Sequence, residues 1–127
     1  MTRNEIATGL RRLGLEKGDS VLLHSSLSSL GRVEGGPAAV IDAFLDVLGA
    51  EGTLMAPVFG ALGILTETLK ARPGAVISPC PLGTVAALGP AAEELCRDHW
   101  RADTVHGADT PYTRLAGLGG YICLLGV

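Results

Sequence analysis

Two short apolar runs, Ser20-Val-Leu-Leu-His24 and Thr53-Leu-Met-Ala-Pro57, bracket one helix-period segment, and this arrangement constrains the chain more than any other feature. Pro37 stands where a first helical residue is expected, since its missing N–H costs nothing there. Val40, Ile41, Phe44, Leu45 and Leu48 form one apolar face, Asp42 and Asp46 stand opposite, and Gly49 supplies the stop. Two short strands joined through a single helix make a βαβ crossover, so the runs are expected to lie adjacent and parallel in one sheet.

The flanking segments extend this pattern. Thr2-Arg-Asn-Glu5 is a capping box, followed by Ile6, Leu10 and Leu13 at helical spacing, which predicts a helix over 2–13 closed by Gly14 and the Lys17-Gly18-Asp19 turn. Downstream, 64–71 reads as a short helix ended by Pro73-Gly74, and 75–78 and 84–88 read as strands. Pro90 opens a helix over 91–96, residues 100–109 read as loop, Pro111 opens a helical turn, and 121–127 reads as an apolar, buried final strand. There is no internal repeat. The fold class expected is α/β: a mixed, mainly parallel sheet flanked by helices, in a single domain covering 1–127.

Composition sets limits on function. With 47% hydrophobic and 18% charged residues the chain can bury a core, which excludes the disordered class. The net charge of −3 and the scattered basic residues argue against a nucleic-acid partner. Cys80, Cys96 and Cys123 form no CxxC pair and cannot all pair with one another, which fits a reduced, cytoplasmic setting. No membrane span is expected, because Glu51, Thr53, Thr66 and Glu67 interrupt the most apolar region. Arg3 and Glu5, with no apolar stretch behind them, argue against a signal peptide. No His/Cys/Asp set has metal-site spacing, so no metal is expected.

The chemistry concentrates in His24-Ser25-Ser26-Leu27-Ser28-Ser29-Leu30-Gly31 and the following Gly35-Gly36-Pro37. This segment joins the end of a strand to the start of a helix. Hydroxyls, backbone N–H groups and a positive helix end together suit a pyrophosphate. A serine-rich connection whose hydroxyls merely cap local backbone fits the same residues. There is no GxGxxG and no Walker lysine to separate the two readings.

The run GDSVLLHSSLSSLG…GGPAAVIDAFLDVLGAEGTLMAP resembles the opening of aminoglycoside 3-N-acetyltransferases, where G-D-x-V-x-V-H-[SA]-S-L-x-x-[IVL]-G precedes G-G-P and a helix. Similarity resumes at LKARPGAVISPCPLGTVAALGPAAEEL and at GADTPYTRLAGLGGYICLLGV, against the family's R-S-x-H-P-x-x-S-x-A-A-x-G and G-x-x-[ST]-P-x-x-R-L segments. The resemblance covers nearly the whole chain in order. It implies acetyl transfer from acetyl-CoA, as cosubstrate, to the 3-amino group of an aminoglycoside-type small molecule, the chemistry of antibiotic resistance. It also implies that His24, Ser25, Ser26, Leu27, Ser28, Gly31, Gly35 and Gly36 hold the cofactor, and that Cys80, Thr84, Asp109 and Thr110 face the acceptor.

Three departures qualify what the resemblance implies. Family members are roughly twice this length, above the single-domain expectation, and their T-x-x-H-x-x-E segment, with the general-base histidine, would lie beyond Val127. The domain is therefore expected to be incomplete and its catalytic residue is not assigned. The stretch between Pro57 and Gly63 is short where relatives carry a longer loop, and Cys80 stands in place of the family's histidine in H-P. An amine attacking a thioester must lose a proton to a positioned base. His99 beside Asp98, and His106 near Asp103 and Asp109, are the base–carboxylate pairs this chain offers, although adjacent loop residues usually point apart. The alternative readings are a CoA- or phosphate-binding module without catalysis, and an inert fragment whose last strand aggregates or forms a homodimer.

Overall fold

The computed structural model describes residues 1–58, 64–78, 80 and 82–126; most of the short stretch after Pro57 lies outside the described residues. Helix α1 (Arg3–Arg12) starts where the capping box requires, with Thr2 accepting the Glu5 N–H at 3.2 Å. Strand β1 (Ser20–Ser25), helix α2 (Gly36–Leu48) and strand β2 (Thr53–Val58) form the expected crossover, with β1 and β2 parallel and Ser20 opposite Thr53. Helix α3 (Ile64–Lys70) leads to the antiparallel pair β3 (Val76–Ser78) and β4 (Thr84–Leu88). Short helices α4 (Ala92–Cys96) and α5 (Pro111–Gly117) precede β5 (Tyr121–Leu125). Single 3₁₀ turns occupy Leu27–Leu30 and, within the segment read as loop, His99–Arg101.

The sheet is mixed, in the order β3-β4-β2-β1-β5. Its β2-β1-β5 half is parallel, while β4 runs antiparallel to β2, placing Thr84 opposite Val58. Consequently the C-terminal ends of β1, β2 and β5 share one edge with the start of β4. In a parallel sheet that edge is where ligands bind.

Alternation of side chains gives each face its own core. On one face Val21, Leu23, Leu54 and Ala56 pack under Leu10, Ile41, Phe44, Leu48 and Leu69 from the first three helices. On the other, Leu22, Met55, Val85 and Ala87 pack against Leu95, Cys96 and Leu115. Arg3 grips Asp46 with two hydrogen bonds of 2.6 Å and Arg72 reaches Asp42 at 2.8 Å, so the polar side of α2 ties it to its neighbours. Cys96 and Cys123 are buried, as read. Burial raises both thiols, Cys96 to about 11.

One expectation is corrected. The final strand is only partly buried: Cys123 joins the core, while Tyr121, Ile122 and Leu124 are 52%, 65% and 64% exposed. The reason is positional, since β5 lies at the end of the sheet and pairs only with β1 among the described residues. Among those residues no helix is long and apolar enough to cross a membrane.

Where β4 ends, the chain passes so close to β2 that only glycine fits. Gly89 has a φ of +135°, and a Cβ there would lie 2.7 Å from Thr53 Cα and against the Gly52 carbonyl. The turn is held by Ala91 N–H donating to Thr53 Oγ1 at 3.0 Å. Gly89→Ala is expected to cost about 2–4 kcal/mol, from overpacking plus backbone strain. Denaturant unfolding checks this, and an unchanged midpoint would contradict the close approach.

Candidate functional site

Strand β1 delivers His24 and Ser25 to the shared edge, and the next residue is pinned there by Ser26 N–H donating to the Leu125 carbonyl at 2.9 Å. The chain then closes the Leu27–Leu30 turn, bringing Ser26 Oγ within 3.3 Å of Ser28 Oγ and 3.1 Å of Ser29 Oγ. Three hydroxyls therefore converge over the end of the strand, with Ser28 and Ser29 exposed to solvent. Gly31, Gly35 and Gly36 all have positive φ and turn the chain into α2, whose N-terminus no side chain caps. The intervening residues are braced by the amino terminus: Met1 N donates to the Arg32 carbonyl at 3.0 Å, and Glu34 N–H to the Met1 carbonyl at 2.9 Å. A hydroxyl cluster followed by an uncapped helix start can accept an anionic group.

The residues read as facing the acceptor fall into two places. Thr84, opposite the end of β2, occupies the same edge as Ser25 with β2 between them. Cys80 is buried, and its carbonyl accepts from Gly83 N–H at 3.3 Å and from the Thr84 hydroxyl at 3.4 Å. Thr110 is wholly buried at the start of α5, where it accepts the Thr113 N–H and donates to the Gly107 carbonyl at 2.7 Å. Its hydroxyl is thus engaged in capping. Asp109, half exposed, pairs with Arg114 at 3.6 Å.

His24 points to the opposite face from Leu23 and lines a cavity of about 230 Å³ with Leu22, His106, Tyr112, Leu115 and Ile122. The His106 ring packs against Tyr112 with centroids 4.6 Å apart and planes tilted by 60°, and makes no ion pair with Asp103 or Asp109 among the described residues. The Tyr112 hydroxyl is buried without a partner there, and burial raises its pKa.

The His99–Asp98 pair does not form either. His99 turns inward, with Nδ1 2.6 Å from Ser78 Oγ, and is one of the largest fully buried side chains. The sequence reading missed this contact with Ser78. No local spacing signals it, because the chain leaves the helical path at Arg97 and turns through Asp98 before reaching His99.

Burial, with a smaller contribution from the charge on Arg114, depresses the His99 pKa below its ordinary value. The unfolded chain takes up this proton near pH about 6.5, whereas the folded chain resists it. The stabilisation is therefore complete above that pH and is lost as pH falls towards the depressed value. His99→Asn is expected to flatten the fall in melting temperature between pH 7 and 5, as read by thermal unfolding across that range.

A hydroxyl-rich turn leading from a parallel strand into a helix start is an arrangement that α/β proteins use for phosphate-bearing cofactors. The chain belongs to the aminoglycoside 3-N-acetyltransferase family, whose profile matches residues 22–61 and 59–127. It is 38% identical to aminoglycoside N(3)-acetyltransferase VIII of Streptomyces fradiae, an alignment covering 99% of this chain and 56% of that enzyme. Among solved structures it superimposes on aminoglycoside acetyltransferase AAC(3)-IVa in complex with a gentamicin, with a TM-score of 0.91 and 31% identity, covering 99% of this chain and 54% of that one. Against AAC-IIIb with CoASH the TM-score is 0.88 at 26% identity, covering 98% and 59% of the two chains. The chain thus spans little more than half the length of these relatives. The Streptomyces alignment runs over 162 positions, more than the 127 residues available, so that relative carries residues this chain skips. The profile match breaks at 59–61, which puts the skip directly after β2.

Proposed function

We propose that this chain holds acetyl-CoA at the C-terminal edge of its parallel strands, for transfer of the acetyl group to the 3-amino group of an aminoglycoside-type acceptor. The observation that carries the reading is the convergence of Ser26, Ser28 and Ser29 hydroxyls ahead of the uncapped α2 start, in a chain of this family. In this reading Ser25, Ser26, Leu27 and Ser28 lie closest to the cofactor, with His24 beside them. Gly31, Gly35 and Gly36 let the backbone approach the pyrophosphate, where a side chain would intrude. The CoASH and gentamicin complexes of the relatives support the two ligand classes.

Acetyl-CoA supplies an activated acyl group. The chain's part is to orient it and to keep the acceptor amine within attacking distance of the carbonyl. Cys80 and Thr84, across β2 from the serine turn, form the acceptor side. His99 is not the base that takes the amine proton, because its ring faces Ser78 in the interior. Asp109 adds a half-exposed carboxylate that attracts a polyamine.

Calorimetric titration of CoA against the wild type and Ser26→Asp tests the donor site. The variant places a carboxylate among the hydroxyls and is expected to weaken CoA at least about tenfold, or roughly 1.4 kcal/mol. Equal affinities would remove the serine turn from consideration. Thiol release from acetyl-CoA with gentamicin then separates a transferase from a module that only holds the cofactor.

A further inference from the structure

A second polar cluster lies inside the fold, apart from the serine turn. Ser78 and His99 are each 1% exposed, and the 2.6 Å contact between Ser78 Oγ and His99 Nδ1 is among the shortest side-chain hydrogen bonds in the chain. Ser78 Oγ also accepts the Val85 N–H at 2.9 Å and stands 3.3 Å from the Val85 carbonyl. The chain turns sharply to deliver the ring: Asp98, the residue before it, has a φ of +56°, a left-handed conformation that aspartate reaches more readily than most residues other than glycine.

The place this cluster holds gives it meaning. Ser78 is the last residue of β3, opposite Val85; Cys80 follows it closely and Thr84 opens β4. Strand β3 has three residues and pairs only with β4 among the described residues, and Ser78 is its only fully buried one. So short an edge strand has little packing of its own to fix a turn. The hydrogen bond from beneath supplies that restraint.

We propose that His99 is a positioning residue, acting through Ser78 to fix the turn that carries Cys80 and Thr84. As a specificity element it rests on the reading of those two residues as the acceptor side. A neutral imidazole suits the role. Protonation would leave a charged N–H at Nε2, which has no hydrogen-bond partner among the described residues. An asparagine can keep the contact, because its amide occupies the position of Nδ1, whereas leucine fills the space without it.

The test compares His99→Leu, His99→Asn and Ser78→Ala by residue-resolved hydrogen exchange and by calorimetry with CoA and gentamicin. In His99→Leu the Gly83 and Val85 amides are expected to exchange at least about tenfold faster, the scale of one lost hydrogen bond, with β1 amides unchanged. Gentamicin affinity is expected to fall about tenfold at constant CoA affinity, and His99→Asn should recover most of both losses. Ser78→Ala removes the same contact from the other side and should reproduce the pattern should His99→Leu not fold. Unchanged exchange at the turn, equal damage by asparagine and leucine, or a parallel loss of CoA affinity would overturn the proposal. If the wild type binds no gentamicin, the acceptor reading itself fails. The exchange rates then decide alone whether His99 holds the turn.

Discussion

Strand β1 is hydrogen-bonded on both sides and packed on both faces, and the position of every candidate residue follows from that enclosure. Val21, Leu22 and Leu23 are at most 3% exposed, so their alternation fixes which face each neighbouring helix must cover. A slip of one residue that carried His24 into the place of Leu23 would put an imidazole in the helical core and move every β1 side chain to the other face. Parallel pairing with β2 and with β5 brings three C-terminal ends together at one edge. The serine turn inherits its position from this pairing, because Ser26 is bonded to the end of β5 as well as following β1.

The serine turn and the Ser78–His99 contact have opposite surroundings, and hence suit different uses. At the serine turn the hydroxyls bond one another near the surface, where an incoming anion can replace those weak contacts. At Ser78 the hydroxyl is sealed in, and an unmet bond costs more than the bond is worth in water. The first cluster is suited to exchange partners and the second to hold geometry.

Most of the framework was legible in the chain. The capping box at Thr2, Pro37 after Gly35-Gly36, and the apolar runs at 20–24 and 53–57 each have a local physical cause, and the structure places those elements within a residue or two. The exposure of β5 was not legible, since an apolar run looks the same in a central strand and at an edge. Strand order is set by long-range pairing, which composition does not encode. For the same reason the inward turn of His99 was hidden: its partner Ser78 lies twenty-one residues away on another element. The serine loop stood out because its residues are contiguous, whereas the Ser78 cluster is assembled from three elements.

The skipped residues after β2 fall at the middle of the edge, between the serine turn on β1 and the Cys80–Thr84 turn beside β4. On the described side of this point, the Thr66 hydroxyl of α3 donates to the Pro57 carbonyl at 3.1 Å and holds α3 against the end of β2. Relatives with a longer connection have chain to spare at this point, and this protein does not. On the proposed reading, contacts to an acceptor at this edge fall to the flanking segments, and discrimination between acceptors shifts towards Cys80 and Thr84. A fixed turn discriminates through shape, because a ligand that does not fit must break the Ser78 contact or forgo its own.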